Sequence, residues 1–148
     1  MKIKLITLFV VLGLFAMACN DDDGGGSTTP ASVTAVSDGD ATEGAAITHT
    51  VNLSNTNGGN FAASISNGST DNIDFNTDLS NATLNSGVTY DAGAAELTVP
   101  SGVYSFTVTI ATNSDEEDED DETYTLTIGG QSGTGTITDD DLPVAYFL

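Results

Sequence analysis

From Tyr104 to Ile110 every second side chain is apolar, with Tyr104, Phe106, Val108 and Ile110 on one face and Ser105, Thr107 and Thr109 on the other. A period of two suits an extended strand with one face buried, and a helix cannot use it. The pattern recurs. Residues 46–53 place Ile47, His49, Val51 and Leu53 on one face, and residues 123–128 place Tyr124, Leu126 and Ile128 together. Residues 31–37, 61–65, 94–100 and 133–138 read as further strands, and 103–112 is the clearest of the series. Thr, Val, Ser, Gly and Asn are abundant and helix signals nearly absent. Short strands separated by turn residues predict an all-β chain folded as a single antiparallel β-sandwich. Residues 67–93 are rich in Asn, Ser and Gly and predict no clear element.

The first 18 residues read differently. Lys2 and Lys4 precede an apolar run over 5–17, about the length of a signal-peptide core and too short for a typical membrane span. Ala16-Met17-Ala18-Cys19 resembles the bacterial lipobox, which implies that Cys19 is acylated and becomes the new N-terminus. The alternative is an ordinary secretory signal that contains a cysteine. More than one acyl chain on Cys19 would suffice for stable anchoring. Asn20-Asp21-Asp22-Asp23 resembles the export signal of surface lipoproteins in the Bacteroidetes, and otherwise is the start of a solvated tether. The expected layout is a signal peptide over 1–18, an acidic, Gly-rich tether over 19–30, a folded domain over 31–141 and an apolar tail over 142–148. The expected location is the outer membrane of a bacterial envelope, on the cell surface.

Cleavage before Cys19 removes both basic residues and leaves all 22 acidic ones. Such a chain repels phosphate backbones and anionic headgroups, which excludes nucleic acid as a partner. It also forms no ion pair with Lys or Arg, so each carboxylate must be solvated, accept a hydrogen bond, or meet a cation from outside. Acidity of this degree suits disordered chains, but the regular alternation argues for a packed core.

The acids gather in three places. Residues 115–122 are an unbroken acidic run between two strong strands, Asp139, Asp140 and Asp141 follow the last strand, and Glu43 precedes the strand starting near Ala46. If the strands ending near Thr112 and Thr138 run the same way, all three groups emerge at one pole. Two carboxylates ~7 Å apart in water repel by roughly 0.6 kcal/mol, and many pairs accumulate. A hard divalent cation turns that repulsion into attraction, and Ca²⁺ accepts six to eight such oxygens. Soft metals are disfavoured because His49 is the single histidine and Cys19 is committed to lipid. An EF-hand is excluded by spacing: counted from Asp115, Asp120 falls where Gly is needed and Leu126 where Glu is needed. Counted from Asp118, Thr123 and Gly129 fail likewise. Two readings stand on composition alone, a calcium site or a solvated loop.

Several segments together resemble the Calx-beta domain, the immunoglobulin-like calcium-binding module of sodium–calcium exchangers and many bacterial surface proteins. They are Thr42-Glu43-Gly44, Thr50-Val51-Asn52-Leu53-Ser54, Asp74-Phe75, the stretch 97–110, Glu119-Asp120-Asp121-Glu122-Thr123-Tyr124-Thr125-Leu126, and Gly135-Thr136-Ile137-Thr138-Asp139-Asp140-Asp141. Their order holds over residues 31–141. The resemblance implies an immunoglobulin-like sandwich and calcium ligands at Glu43, Asp74, Asp115, Glu119, Glu122, Asp139, Asp140 and Asp141. Ser114 stands where the family often has an acid, and the segment after Asp74 is longer than in the exchangers, leaving Asp71 and Asp91 as competitors for its role. His49 occupies a core-facing position and reads as a packed histidine.

Catalysis is disfavoured. The folded part has no Lys, a single His, no free Cys and no Trp to stack a sugar. The expectation is a lipid-anchored surface protein with one calcium-binding module serving adhesion or envelope organisation, with a surface protein, matrix protein or glycan as partner. The alternative is a calcium-independent spacer or docking module.

Overall fold

The alternation builds two facing sheets. The computed structural model describes residues 29–70 and 73–143; residues 1–28, which include the expected signal peptide, Cys19 and most of the expected tether, and residues 71–72 and 144–148 lie outside that description. The described residues form ten strands: β1 (Val33–Val36), β2 (Gly39–Thr42), β3 (Ala46–Leu53), β4 (Gly59–Asn67), β5 (Thr83–Leu84), β6 (Thr89–Asp91), β7 (Glu96–Val99), β8 (Ser105–Ala111), β9 (Glu122–Ile128) and β10 (Gln131–Thr138). A 3-10 turn spans Leu79–Asn81. One sheet has the order β1-β3-β8-β5 and the other β2-β10-β9-β4-β7-β6. This is an all-β, immunoglobulin-like sandwich. Its pairings are antiparallel except that β2 runs parallel to β10.

The core lies between the sheets. Ile47, Val51, Leu53, Phe106, Val108 and Ile110 come from the first sheet, and Phe61, Leu97, Tyr124, Leu126, Ile128 and Ile137 from the second. Burying such a side chain stabilises by about 1.5–3 kcal/mol. Period two thus settles which face of each strand is dry. Tyr104 is the exception. Alternation places it inward with Phe106, yet it is 58% exposed. β8 begins only at Ser105, and Tyr104 sits in the preceding turn, where its carbonyl accepts from the Leu53 N–H.

The first edge strand is divided between the sheets. β1 pairs with β3 through a bulge at Val33–Ala35, which lets both Val33 and Val36 face inward. The chain turns at Ser37 and Asp38, and β2 then joins β10. Gly39 permits the crossing, since a Cβ there would lie 2.8 Å from Ile47 Cγ2. Alternation gives no hint of β2, β5 and β6, which are short and half exposed.

Register defines two poles. Ala46 lies opposite Ala111, and Glu122 opposite Ile137. β3 and β9 therefore start, and β8 and β10 end, at one pole. At the other pole residues 29 and 30 lead into the sandwich. There Asn57 Nδ2 donates to the Thr29 carbonyl (2.6 Å), Asn55 Nδ2 donates to the Thr29 and Pro30 carbonyls (3.3 and 3.4 Å), and Ala31 N–H donates to Gly58 O (3.4 Å).

Candidate metal centre

Three loops converge at the pole opposite the tether. The turn at Thr42-Glu43-Gly44 closes with Ala45 N–H on Thr42 O (3.1 Å), and Gly44 adopts φ +72°, a conformation that favours glycine. Glu43 N–H continues the β10 pairing by donating to Thr138 O (3.1 Å), which brings Glu43 beside the acids after β10. Gly44 N–H donates to Asn113 O (3.0 Å), joining the same turn to the end of β8.

This stitching assembles Glu43, Asp115 and Asp141, each offering a carboxylate oxygen within 4.8 Å of the others'. Glu43 and Asp141 are half buried, while Asp115 is exposed. Glu43 Oε2 and Asp141 Oδ2 are shielded from water and accept no hydrogen bond from the described residues. Loss of solvent pushes the Glu43 carboxyl above its ordinary value. A hydrogen bond from the Asp115 backbone opposes that rise, and repulsion from Asp115, Asp139 and Asp141 adds to it. Asp141 is raised for the same reasons, desolvation first and then repulsion from Asp139, Asp140, Asp115 and Glu116.

A second group stands beside the first. Asp74, Glu119 and Glu122 also offer oxygens within 4.8 Å of one another. Asp74 is buried, Glu122 half buried and Glu119 exposed. Phe75 forms an isolated bridge with Thr112, and its ring packs on Tyr124 with centroids 4.6 Å apart. That contact seats Asp74 at the end of β8. The loop before it wraps Thr123, whose carbonyl accepts from Gly68, Ser69 and Thr70 N–H groups (2.9, 3.1 and 3.3 Å). Gly68 is required for the approach, because a Cβ there would lie 2.6 Å from Thr123 O. Ile73, Asp74, Asp115, Glu117, Glu119 and Glu122 line a shallow cleft between the groups.

Six of the acids named from sequence are thus gathered into two triads. Asp139 and Asp140 belong to neither. Asp139 Oδ1 accepts the Asp141 N–H (3.3 Å), and Asp140 is exposed. Both act on Asp141 through charge. Of the competitors for Asp74, Asp91 has its carboxylate taken up by its own turn, accepting from Gly93 and Ala94 N–H groups (2.8 and 3.2 Å). Asp71 lies outside the described residues. Sequence reasoning missed Asn113. Its N–H donates to Asp74 O (2.6 Å), its side-chain amide donates to Ile73 O, and its carbonyl holds Gly44. One residue therefore ties the loops of both triads to β8. An Asn directly after a strand and before an acidic run is the signal that was available. His49 is fully buried with both ring nitrogens hydrogen-bonded, so it is a core residue.

No family model matches the chain, and no curated protein matches it. Among solved structures the chain is similar to the seventh ScaB type I cohesin from Pseudobacteroides cellulosolvens. That match has 12% sequence identity and a TM-score of 0.33, covering 81% of this chain and 99% of that one. Nothing about the site follows from it.

Proposed function

We propose that this chain is a lipid-anchored envelope protein, held through Cys19, whose sandwich is a Calx-beta-like module that takes up Ca²⁺ at its acidic pole. The observation that carries the reading is the pair of carboxylate triads, drawn from loops far apart in sequence and brought within 4.8 Å at one pole. Ionised carboxylates only accept hydrogen bonds, and past Lys4 the chain has no Lys or Arg to answer them. A hard cation with oxygen ligands suits that donor set. Glu43, Asp115 and Asp141 would hold one ion, and Asp74, Glu119 and Glu122 another. Ions there would tie the β2–β3 turn, the β8–β9 loop and the end of β10 together, stiffening the end of the sandwich farthest from the tether. A lipid at Cys19 would present that pole outward, where it would serve adhesion or envelope organisation with a surface protein, matrix protein or glycan as partner.

The test is a thermal melt with calcium or chelator, since a ligand that binds only the folded state raises the melting temperature. A melt unmoved by millimolar Ca²⁺ would sink the calcium reading. A second reading, a calcium-independent spacer or docking module, is favoured by one observation: residues 116–121 are exposed along their whole length, as a solvated loop would be. Partner binding that survives chelation would select it.

A further inference from the structure

The core holds one histidine ring that the acidic pole does not use. His49 lies on β3 with no exposed surface. Its Nδ1 is 2.7 Å from the Ser37 carbonyl and its Nε2 is 2.8 Å from the Tyr124 hydroxyl. A carbonyl only accepts, so Nδ1 carries the hydrogen. Nε2 then has a lone pair, and the Tyr124 O–H donates to it. The relay Tyr124 O–H to Nε2, Nδ1–H to Ser37 O spans both sheets, from β9 through β3 to the corner where β1 hands over to β2. It leaves no donor or acceptor of the ring unused.

The corner is pinned only here and at its neighbours. Ser37 N–H donates to Thr50 O (2.9 Å), Ser37 Oγ accepts from Thr50 N–H (2.8 Å), and Asp38 Oδ1 accepts from Thr134 N–H (2.7 Å). Beyond it, β2 runs along β10 to Thr42, and Glu43 follows. Both strands flanking the corner are short and singly paired, although Ala31, Val33 and Val36 bury their side chains in the core. β1 has four residues, a bulge and one partner; β2 has four residues and one partner. Elsewhere the ring is enclosed by longer strands, with Val108 of β8 opposite it and Gly135 of β10 against the Tyr124 ring.

We infer that His49, Tyr124 and Ser37 form a proton-sensitive clasp, which holds the strap of residues 31–42 across the edge of the sandwich when His49 is neutral and releases it when His49 is charged. The incoming proton has one place to go, the Nε2 lone pair. Nε2–H then meets the Tyr124 hydroxyl, whose oxygen can accept only by turning its own hydrogen away from the ring, and the charge is sealed from water. The titratable groups facing the ring are Tyr124 from β9 and Asp38 from the corner; β8 and β10 present none. Asp38 attracts the charge, but burial outweighs it and holds the ring below the ordinary histidine value of 6.5. Water reaches the ring most readily by lifting the strap, the least paired cover. Glu43 moves with the strap, so the first triad loses a member. The clasp stands whether or not the acidic pole binds metal.

The test follows the one histidine ring by NMR in the full chain, held in detergent micelles without metal, beside amide hydrogen exchange corrected for intrinsic rate. At pH 7.5 the ring should show the Nδ1–H tautomer, and it should titrate below 6.5. As it titrates, amides of residues 31–42 should exchange at least tenfold faster while those of β8 and β9 hold. His49→Gln should flatten the strap's response over that window, and any pH dependence left belongs to carboxylates. Tyr124→Phe removes the donor to Nε2, so ring titration and strap opening should both move to higher pH. This second variant decides the matter if His49→Gln does not fold. An Nε2–H tautomer, a strap indifferent to ring titration, opening of the whole sandwich together, or a wild-type response in His49→Gln would each overturn the clasp.

Discussion

At the tether pole the loops close on themselves. Asn55 and Asn57 supply amide donors, the Thr29 and Pro30 carbonyls accept them, and the Ser32 and Ser54 hydroxyls pair (3.1 Å). At the acidic pole the loops are just as polar, but their side chains are carboxylates, which when ionised accept without donating. Two of their oxygens are shielded from water with no donor among the described residues. One end is completed by the chain's own chemistry. The other gathers charge that burial and mutual repulsion oppose. The balance of donors to acceptors separates the two ends.

That contrast breaks most visibly with calcium. At a hundredfold excess over its dissociation constant, Ca²⁺ should stabilise the protein by about 2.7 kcal/mol, which moves the melting temperature of a domain this size by roughly 10 °C. Calorimetry with calcium and with chelator measures it, and coincident melts would leave the poles thermodynamically alike. Next in size is Glu43→Gln. It removes a charge that the apo protein tolerates poorly, so the chelator melt should rise. The same change should weaken the calcium midpoint about tenfold, or about 1.4 kcal/mol. A variant that lowered the chelator melt would contradict the repulsion assigned to the first triad.

The tether pole should behave oppositely. Asn57→Ala removes an exposed hydrogen bond and should cost about 0.5 kcal/mol, equally with and without calcium. A calcium-dependent cost there would mean that the poles are coupled. The last effect is that of pH on His49, which lies between the poles. Burial lowers its value in the folded state below 6.5, so the unfolded chain takes up the proton first. Its contribution is therefore constant above about that pH and is lost as pH falls through 6.5 toward the folded value. The difference in melting temperature between the wild type and His49→Gln, followed from pH 7.5 downward, reads this contribution.

Much of the fold was legible because period two is a local property. Ala46–Leu53 forms the strand its alternation describes, and Phe106, Val108 and Ile110 face the core. Tyr104 failed since alternation does not mark where pairing stops. β2 was invisible because it follows a corner and is held by β10, nearly a hundred residues away. For the site, the acidic clusters could be located because carboxylates without cationic partners are conspicuous in any chain, while the individual residues, Asp74 above all, were named through the resemblance to the Calx-beta domain. Their division into triads was not readable. It depends on Glu43 N–H reaching Thr138 and on Asn113 clamping Asp74 and Gly44.

The sequence by itself determined that the chain is all-β, which faces of the long strands are dry, and that its acids would have to find solvent, donors or a cation beyond the chain. These follow from side-chain chemistry and a two-residue repeat, which need no knowledge of distant neighbours. Only the tertiary structure decided that Asp139 and Asp140 stand outside both triads, that residues 29 and 30 lie at the pole opposite the acids, and that His49 joins two sheets through Tyr124 and Ser37. Those outcomes depend on strand register and on which turns meet, set by backbone hydrogen bonds between residues far apart in the chain.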